Sequence, residues 1–291
     1  MESSVFDKGF FEKLNTLKMS LNMRLNQGMS GIRKSSAKGT SVEFSDFREY
    51  MLGDDIRRID WNAYGRTDKL YIKQFMEEKE GVFQIFLDTS KSMEFGECPK
   101  SKMALQTAAA LSYIILGNLD RVCINEMKEN SVTQGKGLTG SSAFPHILED
   151  LNRINFDGRT TLSKTILSKP VRTGGVSVII SDFLDENGIE EAVKYLAYRK
   201  QTIVLIQILA REETDIDYEG TLNILDMETS ERVKITMSNA AIRKYKAALQ
   251  QLQDGLQRLA RKYGAHYIYM QSDESLTAAM LHGFSGILQG K

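Results

Sequence analysis

The sequence predicts an α/β fold with a doubly wound, mostly parallel sheet, and three observations carry that reading. Short apolar runs alternate with helical stretches from residue 81 to the C-terminus, the runs are five to eight residues long, and two of them end in aspartate. GVFQIFLD (81–88) is the first strand and ends in Asp88; a helix of about 100–117 follows. DRVCINEM (120–127) is the second strand, with a helix near 143–153 after it. VSVIISD (176–182) ends in Asp182, a helix near 188–199 leads to TIVLIQIL (202–209), and a long helix of about 238–263 precedes HYIYM (266–270). A last helix is expected over about 274–288. Gly135-Lys136-Gly137-Leu138-Thr139-Gly140 lacks the spacing of a phosphate-cradling loop and reads as a hairpin loop.

Upstream of this pattern the chain divides twice. Residues 1–39 form an amphipathic helix and linker: Phe6, Phe10, Leu14, Leu17, Leu21 and Leu25 recur at spacings of three and four, an apolar stripe that must be buried, most simply on the chain's own core. The stretch from Gly28 to Gly39, with Arg33, Lys34 and Lys38, reads as a solvated connector, because no aromatic side chains are interleaved for base stacking. Residues 40–80 are dense in charge and aromatics and are expected to pack on the main domain, 81–291. Within them Asp54, Asp55, Arg57, Arg58, Asp60 and Trp61 form a segment whose charges alternate closely enough to satisfy one another in a salt-bridged turn; a contact surface for a partner or for the metal edge is the alternative.

Composition excludes several classes. Lysine plus arginine equals aspartate plus glutamate at 38 each, so no bulk field points to nucleic acid. Cys98 and Cys123 are far apart, and His146, His266 and His282 make no cluster, which argues against zinc. The chain has no apolar run of 18 residues and no signal-peptide pattern, so a cytoplasmic location with reduced thiols is expected. No GxSxG elbow or Cys/His pairing is present, and the 13 methionines are scattered core filler.

Ligands in open α/β sheets bind beyond the carboxyl ends of the strands. There the sequence offers Asp88-Thr89-Ser90-Lys91-Ser92, Ser181-Asp182, and the turn Gly158-Arg159-Thr160-Thr161, all bearing hard oxygens suited to Mg²⁺ or Mn²⁺. The pattern Asp-x-Ser-x-Ser, a loop threonine and a second aspartate resembles the metal-ion-dependent adhesion site of von Willebrand factor A-like domains. That resemblance implies Asp88, Ser90, Ser92, Thr160 and Asp182 as the ion's ligand shells, with Thr161 as the alternative to Thr160. The run Glu43-Phe44-x-x-Phe47-Arg48-Glu49-Tyr50-x-x-Gly53-Asp54-Asp55-x-Arg57-Arg58-Ile59-Asp60-Trp61 is similar to the signature of the DUF58 family, whose members carry it before an A-like domain. The resemblance implies a non-enzymatic interaction protein whose ion takes a partner's carboxylate, with a MoxR-type AAA+ ATPase as the associated partner in complex assembly. A hydrolase using the same ion as a Lewis acid, and a peripheral membrane protein held by the N-terminal helix, are the rival readings.

Overall fold

The computed structural model describes residues 5–17, 43–76, 81–215, 220–225 and 232–288. They form two compact units. The described residues of the N-terminal segment belong with those from 81 onward, and residues 43–76 make the second unit. The sequence separates residues 1–39 from the main domain; in the fold the described part of that segment is part of the main unit.

The N-terminal helix α1 covers residues 8–17. Asp7 caps it, its Oδ1 accepting from Phe10 N at 2.8 Å. Phe6, Phe10, Leu14 and Leu17 are all buried, as the stripe requires. Gln106 and Tyr113, two later helical residues, hydrogen-bond Val5 O and Asn15 Oδ1 respectively, so the chain's own core covers this face. Leu21, Leu25 and the basic connector lie outside the described residues.

In the second unit, β1 (Glu43–Glu49) and β2 (Tyr71–Met76) pair antiparallel around a single 3₁₀ turn, Ile56–Arg58, and the helix α2, Trp61–Thr67. The acids of the DDIRRIDW segment also serve the backbone. Asp54 takes Arg48 through both oxygens at 2.8 Å and also accepts from Met51 N. Asp55 accepts from Arg57 N, and Asp60 caps α2 by accepting from Asn62 N and Ala63 N. A short acidic side chain beside a turn satisfies an orphan N–H at lower entropic cost than it holds a long, mobile guanidinium. Asp60→Ala is therefore expected to cost about 1 kcal/mol, read as a lower denaturant midpoint for the unit.

The main unit contains a seven-stranded sheet in the order β11-β8-β7-β3-β4-β5, with β6 on the edge of β4. Its strands are β3 (Val82–Asp88), β4 (Arg121–Lys128), β5 (Ser131–Gln134), β6 (Leu138–Thr139), β7 (Val176–Ser181), β8 (Thr202–Leu209) and β11 (His266–Gln271). β3, β4, β7, β8 and β11 are mutually parallel; β5 and β6 run antiparallel to β4. The glycine-rich stretch is not the hairpin turn the sequence suggests. It joins β5 to β6 along the same edge of β4, and a Cβ at Gly135 would come within 2.5 Å of the Ile124 carbonyl, so the backbones meet there as only glycine allows. A separate antiparallel pair, β9 (Gly220–Leu225) and β10 (Arg232–Met237), follows β8 and had no counterpart in the sequence reading.

Helices cover both faces, as a parallel sheet of buried strands demands. On one face α3 (Lys100–Gly117) packs with α4 (Phe144–Asn152) and the C-terminal α9 (Leu276–Leu288). On the other, α5 (Leu162–Leu167), α6 (Glu190–Tyr198) and the long α8 (Asn239–Tyr263) close over Phe86, Met127, Ile179 and Leu205. A short turn of helix, α7 (Arg211–Thr214), lies between β8 and β9. From β3 the chain moves outward to β4 and β5, then returns to β7 on the opposite side of β3 before continuing to β8 and β11. The strand order thus reverses between β3 and β7, where the crevice of a doubly wound sheet opens.

Candidate functional site

Both aspartates the sequence singled out lie at that reversal. Asp88 is the last residue of β3, and Asp182 directly follows β7. Hydrogen bonds link the two through the serines, by backbone at Asp88 and by side chains beyond it. Ser90 Oγ and Ser92 Oγ are 3.1 Å apart, and Ser92 Oγ donates to Asp182 Oδ2 at 3.0 Å. At the other end Asp88 Oδ1 accepts from Ser90 N at 3.0 Å, and its Oδ2 accepts from Ser181 Oγ at 2.6 Å. Phe183 adopts the left-handed conformation (φ 57°), a strained setting for a bulky residue. That bend returns Leu184 N to Asp182 Oδ1 at 3.0 Å and fixes the second carboxylate.

The threonine turn is bound to the same place by backbone. Lys91 N donates to Gly158 O and Asp157 N to Thr89 O, while Thr160 forms a bridge with Glu129 just beyond β4. Thr160 Oγ1 donates to Met127 O at 3.1 Å, which commits its proton and leaves its oxygen lone pairs for a cation. Thr161 lines the same cavity, about 420 Å³ in volume, together with Asp88, Ser90, Ser92, Thr160 and Asp182. All five residues predicted from the sequence are thus brought together.

Lys100, Glu213 and Asp185 were missed. Lys100, the first residue of α3, has no exposed surface; its ammonium meets Asp182 Oδ2 at 2.8 Å and Glu213 Oε1 at 2.6 Å. Burial alone would lower its pKa, but the two carboxylates outweigh that and hold it above its usual value. Glu213 sits on α7, beyond the carboxyl end of β8, and its Oε2 accepts from Ala210 N. Asp185 lines the cavity and accepts from Leu162 N and Asn187 N. The strand-end rule that found Asp182 applies equally to the segment after β8, so Glu213 had a signal; Lys100 had none beyond a cation at a helix N-terminus, where the dipole disfavours it.

The donor set fits a hard divalent ion. Two carboxylates, two serine hydroxyls and a threonine hydroxyl converge, all of them oxygen. Among the described residues Asp88 is met by neutral donors, and burial together with the facing Asp182 pushes its pKa up to about 6. A buried carboxylate in that position is stabilised by a cation. Among the described residues no cluster of three or more His, Cys, Asp or Glu side chains is placed to hold a metal. Affinity would therefore rest on two carboxylates plus hydroxyls.

Comparison with known sequences decides the family. The profile described as "Protein of unknown function DUF58" matches residues 46–254 of the 291. The chain belongs to the DUF58 family. It is also 23% identical over 285 residues to uncharacterized proteins of Mycobacterium tuberculosis and Mycobacterium bovis, covering 96% of this chain and 90% of each of them. Among solved structures it is similar to BatB from Bacteroides thetaiotaomicron (15% identity, TM-score 0.44, 72% of this chain and 100% of that one). It is likewise similar to the SpRpn10 VWA domain (13% identity, TM-score 0.40, 73% and 99%). In this DUF58 chain the mostly parallel sheet, with helices on both faces, is the α/β architecture the sequence predicts, and the Asp-x-Ser-x-Ser loop lies at its reversal. Among the described residues, no helix is long and apolar enough to cross a membrane.

Proposed function

We propose that this DUF58 chain is a metal-dependent protein-interaction module and not an enzyme. Asp88, Ser90, Ser92, Thr160 and Asp182 would hold Mg²⁺ or Mn²⁺, and an aspartate or glutamate from a partner would complete the shell. The observation that carries this reading is the continuous hydrogen-bonded path from Asp88 through Ser90 and Ser92 to Asp182 at the sheet reversal. The ion, when bound, supplies the positive charge that lets a carboxylate enter a cavity lined by Asp88, Asp182, Asp185, Glu186 and Glu213. The chain's own residues do the rest. Ser181 and Ser90 N orient Asp88, Leu184 N and Ser92 orient Asp182, and Arg159 at the cavity wall adds attraction for an incoming anion.

By the same resemblance that names the family, the partner is a MoxR-type AAA+ ATPase, with this chain as its adaptor or client selector in the cytoplasm. A hydrolase would need a carboxylate free to accept a proton from an ion-bound water. Of the other carboxylates lining the cavity, Asp185 is committed to two backbone N–H groups and Glu213 to Lys100 and Ala210 N, which favours the binding reading; the hydrolase reading would have to rest on Glu186. The test is capture of a purified MoxR-type ATPase by the immobilised chain, in Mg²⁺ and in chelator, with wild type and Asp182→Ala. Chelation or the substitution is expected to weaken the complex by on the order of 2–5 kcal/mol, roughly thirtyfold or more. Equal capture in all four conditions would remove the metal from the interface.

A further inference from the structure

Lys100 has no place in the ligand set, yet it is the most deeply buried charge beside it. A lysine at the first position of an 18-residue helix opposes the helix dipole, and one without exposed surface has given up its hydration. Both costs are offset by Asp182 and Glu213, which bracket the ammonium at 2.8 and 2.6 Å. Its remaining donor direction faces the Phe95 ring, 5.9 Å to the centroid.

The oxygen Lys100 takes is the significant detail. Asp182 Oδ1 is directed at Leu184 N, whereas Oδ2 accepts from both Ser92 Oγ and Lys100. Oδ2 is thus the oxygen on the serine side, where the ion would lie, and its two lone pairs are already engaged. An ion at the serines and the ammonium of Lys100 contend for the same carboxylate. Glu213 is the second station of that ammonium, and its Oε2 is fixed by Ala210 N, so it stays in place whichever carboxylate the lysine favours.

We propose that Lys100 is an internal rival cation that sets the site's metal affinity, with Glu213 as the carboxylate that draws it away from Asp182. The inference rests on the metal reading above. It deepens that reading by making the ion's occupancy adjustable: whatever moves α7, and with it Glu213, changes how much of Asp182 is available. An ammonium about 5 Å from a doubly charged ion lowers the ion's affinity more than tenfold even with the screening of bulk water.

The experiment is calorimetric titration of the full chain with Mg²⁺ and with Mn²⁺, comparing wild type, Lys100→Met, Glu213→Gln and Asp88→Ala, each first checked for folding by its circular dichroism melt. Lys100→Met keeps the length and packing of the side chain and removes its charge, so it is expected to bind the ion at least about tenfold more tightly. Glu213→Gln leaves the ammonium to Asp182 alone and is expected to bind more weakly than wild type. Opposite signs are the mark of competition, since a merely structural ion pair weakens binding when either side is removed. Binding by Lys100→Met where wild type shows none would support the inference in its strongest form. If wild type binds and Lys100→Met binds equally or less, Lys100 is not a competitor, while the metal site itself stands on its loss in Asp88→Ala. Should Lys100→Met not fold, stronger binding by Glu213→Gln overturns the inference. Silence from every folded variant overturns the inference and the metal reading together.

Discussion

Asp88→Asn is expected to abolish Mg²⁺ and Mn²⁺ binding and, at the same time, to stabilise the metal-free protein at neutral pH. Two effects at one residue rarely have opposite signs, and here the geometry requires it. Asp88 is buried, its oxygens are held by Ser90 N and Ser181 Oγ, and burial with the opposing Asp182 raises its pKa to about 6. In the unfolded chain an aspartate titrates near 3.9. Between about pH 4 and 6 the folded state therefore retains a proton that the unfolded state has released. The unfolded state binds fewer protons, so stability falls as pH rises through that window and stays lower above it. The gap corresponds to on the order of 3 kcal/mol. Asparagine keeps an acceptor for Ser90 N and can donate to Ser181 Oγ, yet carries no charge to desolvate. Denaturant unfolding in chelator at pH 5 and pH 7.5 should show wild type losing stability at the higher pH relative to Asp88→Asn. Added Mg²⁺ should restore stability to wild type alone at pH 7.5, by mass action on the folded state. A variant no more stable than wild type in chelator at pH 7.5 would mean that the carboxylate is compensated without an ion.

Asp88 and Asp182 were legible in the sequence because each closes an apolar run, and a strand's end is the one place where a linear pattern states a three-dimensional position. The serines two and four residues after Asp88 inherit that position through the chain. Thr160 was harder to place, since its turn reaches the site by backbone bonds to Thr89, Lys91 and Glu129 that no local spacing encodes. Lys100 was illegible for a related reason. It lies at the start of a helix, in line with the core residues Ala104, Ala108 and Leu111 on the same face, and only the return of β7 and β8 brings Asp182 and Glu213 against its ammonium. The backbone role of the acids at 54–60 was not legible: alternation with arginine suggests ion pairs, while their oxygens also accept from Met51 N, Arg57 N, Asn62 N and Ala63 N at the turns. β9 and β10 escaped because strands of six residues flanked by polar segments carry little periodic signal.

Phe10→Ala and Leu14→Ala are expected to destabilise the main unit by about 3–5 and 2–5 kcal/mol respectively, although both lie outside the Asp-x-Ser-x-Ser domain as the sequence bounds it. Phe10 is 1% and Leu14 2% exposed, Phe10 packs against Phe6 with tilted rings and centroids 5.1 Å apart, and Tyr113 and Gln106 of α3 hydrogen-bond the N-terminal segment. Truncating either leaves a cavity against α3, the helix that also carries Lys100 into the site. The two positions are one turn apart and share neighbours, so the double variant should lose less than the sum. The same burial bears on the membrane reading. An amphipathic helix binds lipid through its apolar face, and the face carrying Phe10, Leu14 and Leu17 is already occupied by protein. Co-sedimentation with vesicles of anionic lipid should therefore leave the full chain in the supernatant. Pelleting of the full chain that requires the vesicles would mean that the segment leaves α3 in favour of the bilayer. The helix would then be a detachable anchor, and its stabilisation of the domain would be lost each time it engages lipid.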